Sequence, residues 1–409
     1  MPGAASLFLF HRASVMSSHL THGRLAAVAF GLALIALLLA APGLFELGDK
    51  IAFSLVLGAL IGVVFQRSRF CFLCHARDFI EGGDASGVVA ILVALGVGTL
   101  GYYVILGTWL PDPTLGRSAP DAHIGPVSWA LVVAAFVFGV GMAISGACIS
   151  GHLYRLGEGS PTAPFALVGT LMGFGIGFRT WNPLYIDAIA GAEATWLPAR
   201  LGYGWWLVAQ LALLLCLAVA AGLFAKRRAP SPASPEVSAE ALPHAFQRIA
   251  VDRWHPAVGG AIVGVLGAIA YFRVQPLGVT AEVGSLARRG MTAIGALPET
   301  LHGLDAFAGC RTIIAEGFSN NGAFVAGLVI ASFASALIAG QCTPSRPTAR
   351  QIVRGLAGGV LLGWGAMTAI GCTVGTLLSG TMAGALSGWV FLFASLAGVW
   401  VTLPLVRAR

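Results

Sequence analysis

Ten apolar stretches divide this chain, and most of them are long enough to enter or cross a lipid bilayer. Only 10% of the residues are charged and 57% are hydrophobic, whereas a soluble surface needs about 25% charged residues. A spanning helix needs about 20 apolar residues, and shorter stretches suit broken or re-entrant helices. The sequence therefore predicts an all-α integral membrane protein with full transmembrane helices and re-entrant half-helices. The stretches lie near 25–45, 51–65, 86–110, 127–147, 163–180, 203–225, 256–272, 322–340, 352–370 and 385–406.

The net charge of +7 does not indicate nucleic-acid binding. The Lys and Arg residues stand at the ends of the apolar stretches, which is the pattern of loop charges that orient membrane proteins. The 55 glycines fit the same environment, because small residues let membrane helices pack closely. We therefore expect the lipid bilayer, and no nucleic acid, as the surroundings of this chain.

A polar linker separates two halves of the chain. Lys226, Arg227 and Arg228 precede a segment rich in Pro, Ser, Ala and Glu that has no apolar period. Its basic flanks favour the cytoplasmic side.

The apolar run after Arg24 is long for a signal peptide, and we predict that it is retained as a helix. We divide the chain into an N-terminal segment with the first transmembrane helix at 1–45, a first half at 46–225, a linker at 226–254 and a second half at 255–409.

The two halves carry similar windows of glycine and cysteine. The first reads GVGMAISGACISG and contains Cys148, and the second reads GWGAMTAIGCTVG and contains Cys372. Both follow the pattern G-x-G, six residues, Cys, two residues, Gly. Duplicated halves are a common build of transporters, whose substrate path lies at the interface of the halves near mid-membrane. The glycines of each G-x-G element suit close helix packing.

Further glycines crowd the residues around each cysteine. Gly146 and Gly151 flank the first cysteine, and Gly371 and Gly375 flank the second. Glycine at this density favours an interrupted helix. Broken backbone at membrane depth is tolerated only where it lines a cavity or is buried in protein. We therefore predict that both windows interrupt their helices beside a functional cavity.

A third segment, RSRFCFLCHARD at 67–78, carries the densest set of reactive side chains. Its Cys71, like Cys148 and Cys372, lies at or near the end of an apolar stretch. A thiol is soft and is both a weak donor and a weak acceptor. A few thiols in line would suit a sulfur atom that must be bound loosely and then released.

An anionic substrate would also need counter-charges. Arg69 and Arg77 are the basic residues that we expect to be available, together with the partial positive charge of helix N-termini at broken segments. We expect the polar residues at 152–158, which follow the first window, to form a loop at the membrane face with internal pairing. Asp78 beside Arg77 is expected to be a structural partner.

Both windows and the RSRFCF stretch resemble the YeeE/YedE sulfur-transport family, over roughly residues 50–180 and 255–405. The resemblance implies a multi-pass inner (plasma) membrane permease for thiosulfate or a related inorganic sulfur compound. It also implies an inverted repeat and an hourglass interior. In that family the substrate passes along cysteines that correspond here to Cys71, Cys148 and Cys372, without an enzymatic cycle.

Several secondary expectations accompany this resemblance, and Cys342 among them has no counterpart in that family. The glycines at 146, 151, 371 and 375 are assigned to the central constriction, and Cys74 and Cys342 are further candidates for the path. A small cytoplasmic sulfur-carrier protein is an implied partner. No cofactor and no metal are expected.

The sequence also allows alternative functions. Some relatives are tied to selenium metabolism, so a selenium-compound transporter of the same build is one alternative. The residues 71–75 also spell C-x-x-C-H, which can mark haem attachment in a membrane redox protein, although such a segment must be exposed and needs a second axial ligand. A structural subunit that anchors a soluble sulfur-handling enzyme is a third reading.

Overall fold

The computed structural model describes residues 27–36, 49–117, 119–228, 247–307, 312 and 319–407. Helices account for nearly all of the regular structure in these ranges. The α-helices are α1 (Ala27–Ala36), α2 (Asp49–Ser68), α3 (Phe72–Gly82), α4 (Ser86–Trp109), α5 (Trp129–Ser145), α6 (Ile149–Gly157), α7 (Ala163–Leu184), α8 (Leu197–Arg228), α9 (Pro256–Arg273), α10 (Thr280–Ala293), α11 (Asn320–Ile338), α12 (Ala349–Thr368) and α13 (Leu386–Arg407). Shorter elements are π-helices at Tyr185–Ile189, Gln247–Val251 and Thr373–Gly380 and a 3-10 turn at Leu304–Ala306.

Several of these helices can cross a membrane. Within the described residues, seven helical spans are long and apolar enough, or eight if α12 and the π-helix Thr373–Gly380 form one bent span. Large apolar side chains such as Trp205, Val104 and Trp400 lie on the outer surface, where lipid is their natural solvent. The prediction of an all-α integral membrane protein is confirmed. Of the predicted first transmembrane helix only α1 is described, and the rest of 1–45 lies outside the described residues.

Helices from before the linker pack against helices from after it. α2 packs against α11 and α9 against α4, while α12 packs against α7 and α13 against α5. α5 and α12 also pack against each other. Each of these contacts joins a helix of one predicted half to a helix of the other, so the halves interlock around a shared core. The inverted relation between the halves stays a prediction.

Glycines make these close helix contacts feasible. A β-carbon built on Gly139 would lie 2.1 Å from the carbonyl oxygen of Ser395, and one on Gly363 would lie 2.1 Å from that of Thr170. Any larger residue would push the two backbones apart, as in other close membrane helix pairs. The other two G-x-G glycines also face the backbone of a neighbouring helix. The prediction that these glycines serve packing is confirmed.

Three of the spans are interrupted beside a cysteine. The span Asp49–Gly82 breaks between α2 and α3, and the span Trp129–Gly157 breaks between α5 and α6. The third break separates α12 from the π-helix Thr373–Gly380, whose axis is bent by 42° from that of α12. The prediction that both glycine and cysteine windows interrupt their helices is confirmed, and the RSRFCF stretch does the same.

Candidate functional site

Each of the three predicted cysteines stands immediately before a new helix. Cys71 is the N-cap of α3, Cys148 that of α6 and Cys372 that of the π-helix Thr373–Gly380. The backbone is extended at all three, and all three side chains are fully buried. The chain therefore leaves one helix, turns at a cysteine and starts another helix inside the protein.

The sulfurs of the two window cysteines cap the helices that follow them. The Gly151 N–H donates to the Cys148 sulfur at 3.4 Å, and the Val374 N–H donates to the Cys372 sulfur at 3.4 Å. The Gly375 N–H, three residues after Cys372, also interacts with that sulfur. The shared spacing Cys-x-x-Gly thus has a local purpose, because a thiol here satisfies N–H groups that a helix start leaves unpaired.

The three cysteines come together although they belong to three separate segments. A β-carbon on Gly151 would lie 3.3 Å from the Cys71 sulfur and 3.4 Å from the Cys148 sulfur. The thiols of Cys71 and Cys148 lie close enough to interact, and Cys372 interacts electrostatically with Cys148. The structure therefore places the three predicted path residues in one buried series, with Cys148 in the middle.

Hydroxyl side chains also surround these sulfurs, and Thr373 interacts with Cys148. The Ser150 hydroxyl lies 3.3 Å from the Cys148 sulfur, and the Thr280 hydroxyl donates to the Cys372 sulfur at 3.8 Å. Thr280 is the first residue of α10, so a fourth helix also starts at this point. Four helix N-termini bring partial positive charge to the same buried region. Sequence reasoning missed Thr280, because no cysteine or glycine pattern marks it.

The four predicted constriction glycines all lie beside the cysteines, each for a different reason. Gly146 ends α5 with φ of +94°, a conformation that other residues rarely adopt. Gly151 faces two sulfurs, as described above. A β-carbon on Gly371 would lie 2.3 Å from the Thr376 hydroxyl oxygen, and Gly375 offers its N–H to a sulfur.

A polar cavity of about 690 Å³ opens beside Cys74. We call it the vestibule. Cys74 links it to the buried series, because the Cys74 thiol lines the cavity and lies close enough to the Cys71 thiol to interact with it. Four arginines outnumber the two acidic side chains that line it, Asp78 and Glu158, so its net charge is positive and it attracts anions. The arginines are Arg69, Arg77, Arg155 and Arg253.

Arg155 lies on a helix, where the sequence predicts a loop. The expected membrane-face loop at 152–158 is wrong, because α6 extends from Ile149 to Gly157. The Arg155 guanidinium donates to the Cys74 sulfur at 2.8 Å and to the Gly146 carbonyl oxygen at 3.1 Å. Capping by Cys148 lets the helix restart, and the restarted helix carries Arg155 to the vestibule. No local pattern in the sequence reveals a contact with a cysteine 81 residues away.

The other candidate residues are placed less centrally. Arg69 is exposed at the vestibule, with φ of +50°. Arg77 pairs with Asp78 at 3.2 Å, and both side chains are about half exposed, which confirms the expected structural pair. Cys342 is partly exposed between α11 and α12, and desolvation raises the pKa of its thiol. It therefore stays protonated at neutral pH.

Arg67 is a second arginine that sequence reasoning missed. Its side chain is 1% exposed, and it donates to the carbonyl oxygens of Ala250 at 2.9 Å and Val251 at 2.6 Å. It also donates to the Gln341 side chain at 3.0 Å. This arginine therefore joins the end of α2 to the chain that leads into the second half, and it faces carbonyls rather than the vestibule.

The C-x-x-C-H spelling has a structural explanation in this protein. Cys71, Cys74 and His75 are all buried. The His75 ring packs edge-on against Phe70 at 5.8 Å between centroids, and it lies over Gly87. Haem attachment needs an exposed segment, whereas Cys71 is 0% exposed and Cys74 is 8% exposed. Among the described residues, no group of three or more His, Cys, Asp or Glu side chains is placed to hold a metal ion.

An apolar bundle with seven or eight candidate spans among the described residues defines a multi-pass integral membrane protein. Comparison with known proteins gives the particular family. A family profile described as sulphur transport matches residues 67–401, and the chain belongs to this family. It is therefore a transporter rather than an enzyme.

Curated relatives match along most of the chain. The chain is 28% identical over 366 residues to the "Thiosulfate transporter TsuA" of Escherichia coli (strain K12), covering 87% of this chain and 94% of that protein. It is 28% identical over 368 residues to the protein of the same name from Spirochaeta thermophila, covering 85% and 96%. A shorter match of 148 residues, at 29% identity, is to the "Probable transporter YedE" of Escherichia coli, covering 36% of this chain and 33% of that protein.

Proposed function

We propose that this chain is an inner-membrane permease that moves thiosulfate past the thiols of Cys71, Cys148 and Cys372. The observation that carries the proposal is the proximity of the Cys71 and Cys148 sulfurs, which both lie beside Gly151, with Cys372 near Cys148. Two relatives named as thiosulfate transporters, aligned over 94% and 96% of their own length, support the choice of substrate.

The chemistry of thiols suits the two ends of thiosulfate differently. Its terminal sulfur is soft, and an S–H group is a weak donor that holds such an atom without trapping it. Successive weak sites allow an ion both to enter and to leave. The charged oxygen end needs stronger partners, which the N–H groups at the starts of α3, α6, α10 and the π-helix would supply.

We place the vestibule on the cytoplasmic side of the membrane. Four arginines line it, and cytoplasmic faces of membrane proteins are enriched in Lys and Arg. An anion that leaves the thiols would enter a cavity whose positive charge stabilises it. A small sulfur-carrier protein is the acceptor that we propose at this face.

Growth on thiosulfate tests the proposal. A host without its own sulfate and thiosulfate importers should grow on thiosulfate when it expresses this chain. Cys148→Ala or Cys372→Ala should abolish this growth, because each removes one member of the thiol series. The matched control is Cys216→Ala, since Cys216 is an exposed cysteine of α8, and this variant should support normal growth.

Membrane levels of each variant must be measured alongside growth. If Cys148→Ala and Cys372→Ala both reach the membrane and both support normal growth, the thiol path is wrong. The anchoring role is correct instead if two results are found together. Vesicles that contain the unmodified chain take up no radiolabelled thiosulfate, and deletion of the chain releases a partner enzyme from the membrane.

A further inference from the structure

We propose that Cys71 and Cys74 form a reversible disulfide that closes the transport path, so that oxidation switches transport off. The proposal rests on the proposed function, because it uses the place of Cys71 in the path. It adds a redox modification site that involves one thiol of the path and one thiol of the vestibule.

The two cysteines have the arrangement of a redox-active dithiol. Cys71 is the N-cap of α3, and Cys74 lies in the first turn of the same helix. Their thiols lie close enough to interact, and both are free. A C-x-x-C pair at a helix start holds both sulfurs on one side of the first turn, where they can be joined without moving the helix. This pair is therefore preorganised for an intramolecular disulfide.

The two thiols differ in what they face. Cys71 is fully buried against Cys148, whereas Cys74 is 8% exposed and lines the vestibule. The Arg155 guanidinium donates to the Cys74 sulfur at 2.8 Å. A neighbouring guanidinium stabilises the thiolate, which is the form that reacts with oxidants. A small neutral oxidant in the vestibule therefore meets Cys74 first.

Hydrogen peroxide is the oxidant that we assign to this step. The Cys74 thiolate attacks one peroxide oxygen, the O–O bond breaks, and a sulfenic acid forms while hydroxide leaves and takes up the thiol proton as water. The Cys71 sulfur then attacks the sulfenic sulfur, the S–O bond breaks, and hydroxide leaves with the Cys71 proton as a second water. Two thiols are oxidised to one disulfide, and one peroxide is reduced to two waters.

The disulfide would interrupt the thiol series at its vestibule end. Cys71 would lose the S–H group that pairs with Cys148, and its sulfur would be bonded to Cys74 instead. A β-carbon on Gly151 would lie 3.3 Å from the Cys71 sulfur and 3.4 Å from the Cys148 sulfur, so the thiol series is narrow at this point. Thiol–disulfide exchange with a small thiol would reopen the path.

Transport in liposomes tests the switch. We would use full-length protein with Cys216→Ser, Cys310→Ser and Cys342→Ser, so that only the path cysteines and Cys74 remain. Uptake of radiolabelled thiosulfate should fall about ten-fold after hydrogen peroxide and should recover after dithiothreitol. A second variant adds Cys74→Ser to this background. Its uptake after hydrogen peroxide should stay within about two-fold of its uptake before treatment, because no partner for Cys71 remains at the vestibule.

Mass spectrometry gives a readout that does not depend on transport or on the Cys74 variant. Trypsin cleaves after Arg69 and Arg77 and releases FCFLCHAR, which contains both cysteines. After peroxide treatment, this peptide should lack two hydrogen atoms and resist alkylation until it is reduced. A peptide that stays fully alkylated, or a cross-link from Cys71 to the peptide that carries Cys148, overturns the proposal.

The two proposals fail in different ways. No uptake by the unmodified chain before oxidation overturns the proposed function and the switch with it. Normal untreated uptake that persists after complete disulfide formation in FCFLCHAR overturns the switch alone and leaves the permease intact.

Discussion

Gly151 of α6 lies so close to Cys71, the N-cap of α3, that a β-carbon on the glycine would be 3.3 Å from the cysteine sulfur. The first glycine and cysteine window therefore closes directly on the RSRFCF stretch. The absence of a side chain at Gly151 is what lets the sulfurs of Cys71 and Cys148 share one narrow space.

Filling this space should obstruct transport. Gly151→Ala would place a β-carbon 2.9 Å from the Ala147 side chain as well as against both sulfurs. We expect thiosulfate uptake to fall about ten-fold, because a methyl group in a packed site displaces its neighbours. The matched control is Gly107→Ala in α4, which meets no atom within 4 Å and should keep normal uptake. Equal uptake by the two variants would contradict the placement of the constriction.

The hydroxyl of Thr280 should contribute to transport through Cys372. Thr280→Val keeps the shape of the side chain and removes the donor to the Cys372 sulfur, whereas Thr280→Ser keeps the donor. We expect uptake to fall several-fold in the valine variant and to change by less than about two-fold in the serine variant, since the hydroxyl helps to orient the sulfur. Concentration-dependent uptake in vesicles measures both. If valine and serine behave alike, the hydroxyl has no such role.

Arg67 should be important for stability rather than for substrate. Arg67→Met would leave the partly buried carbonyls of Ala250 and Val251 without their donor, at a cost of about 1–3 kcal/mol. Thermal unfolding in detergent should show a clear drop in Tm.

Arg77→Ala is the control for Arg67→Met. Arg77 belongs to a half-exposed pair with Asp78, and such pairs contribute at most about 1 kcal/mol. Its Tm should stay close to that of the unmodified chain. A larger loss from Arg77→Ala than from Arg67→Met would contradict the assignment of the structural arginine.

Close packing between α7 and α12 should depend on Gly363. Gly363→Ala would set a β-carbon 2.1 Å from the Thr170 carbonyl oxygen, and relieving that clash should cost about 1–3 kcal/mol. Gly222→Ala in α8 meets no atom within 4 Å and should be neutral or slightly stabilising, because alanine favours helices. The melting temperatures of the two purified variants, compared in one detergent, test this difference.

Much of the architecture follows from local sequence. The apolar stretches predict the helices closely, because a bilayer requires each spanning segment to satisfy its own backbone hydrogen bonds. The helix breaks at Cys148 and Cys372 follow from dense glycine, since glycine favours interruption regardless of distant contacts. The G-x-G glycines likewise predict close packing, but they do not predict which helix they contact.

The relations between distant segments were decided only by tertiary structure. The contact of Arg155 with Cys74, the meeting of Thr280 with Cys372 and the burial of Arg67 all join residues that no periodicity connects. A local sequence pattern predicts the structure of one helix at a time, whereas these contacts depend on how the helices of the two halves pack together. The sequence by itself determined a helical membrane protein with breaks at its cysteines, and packing alone decided that those breaks meet in one buried series of thiols.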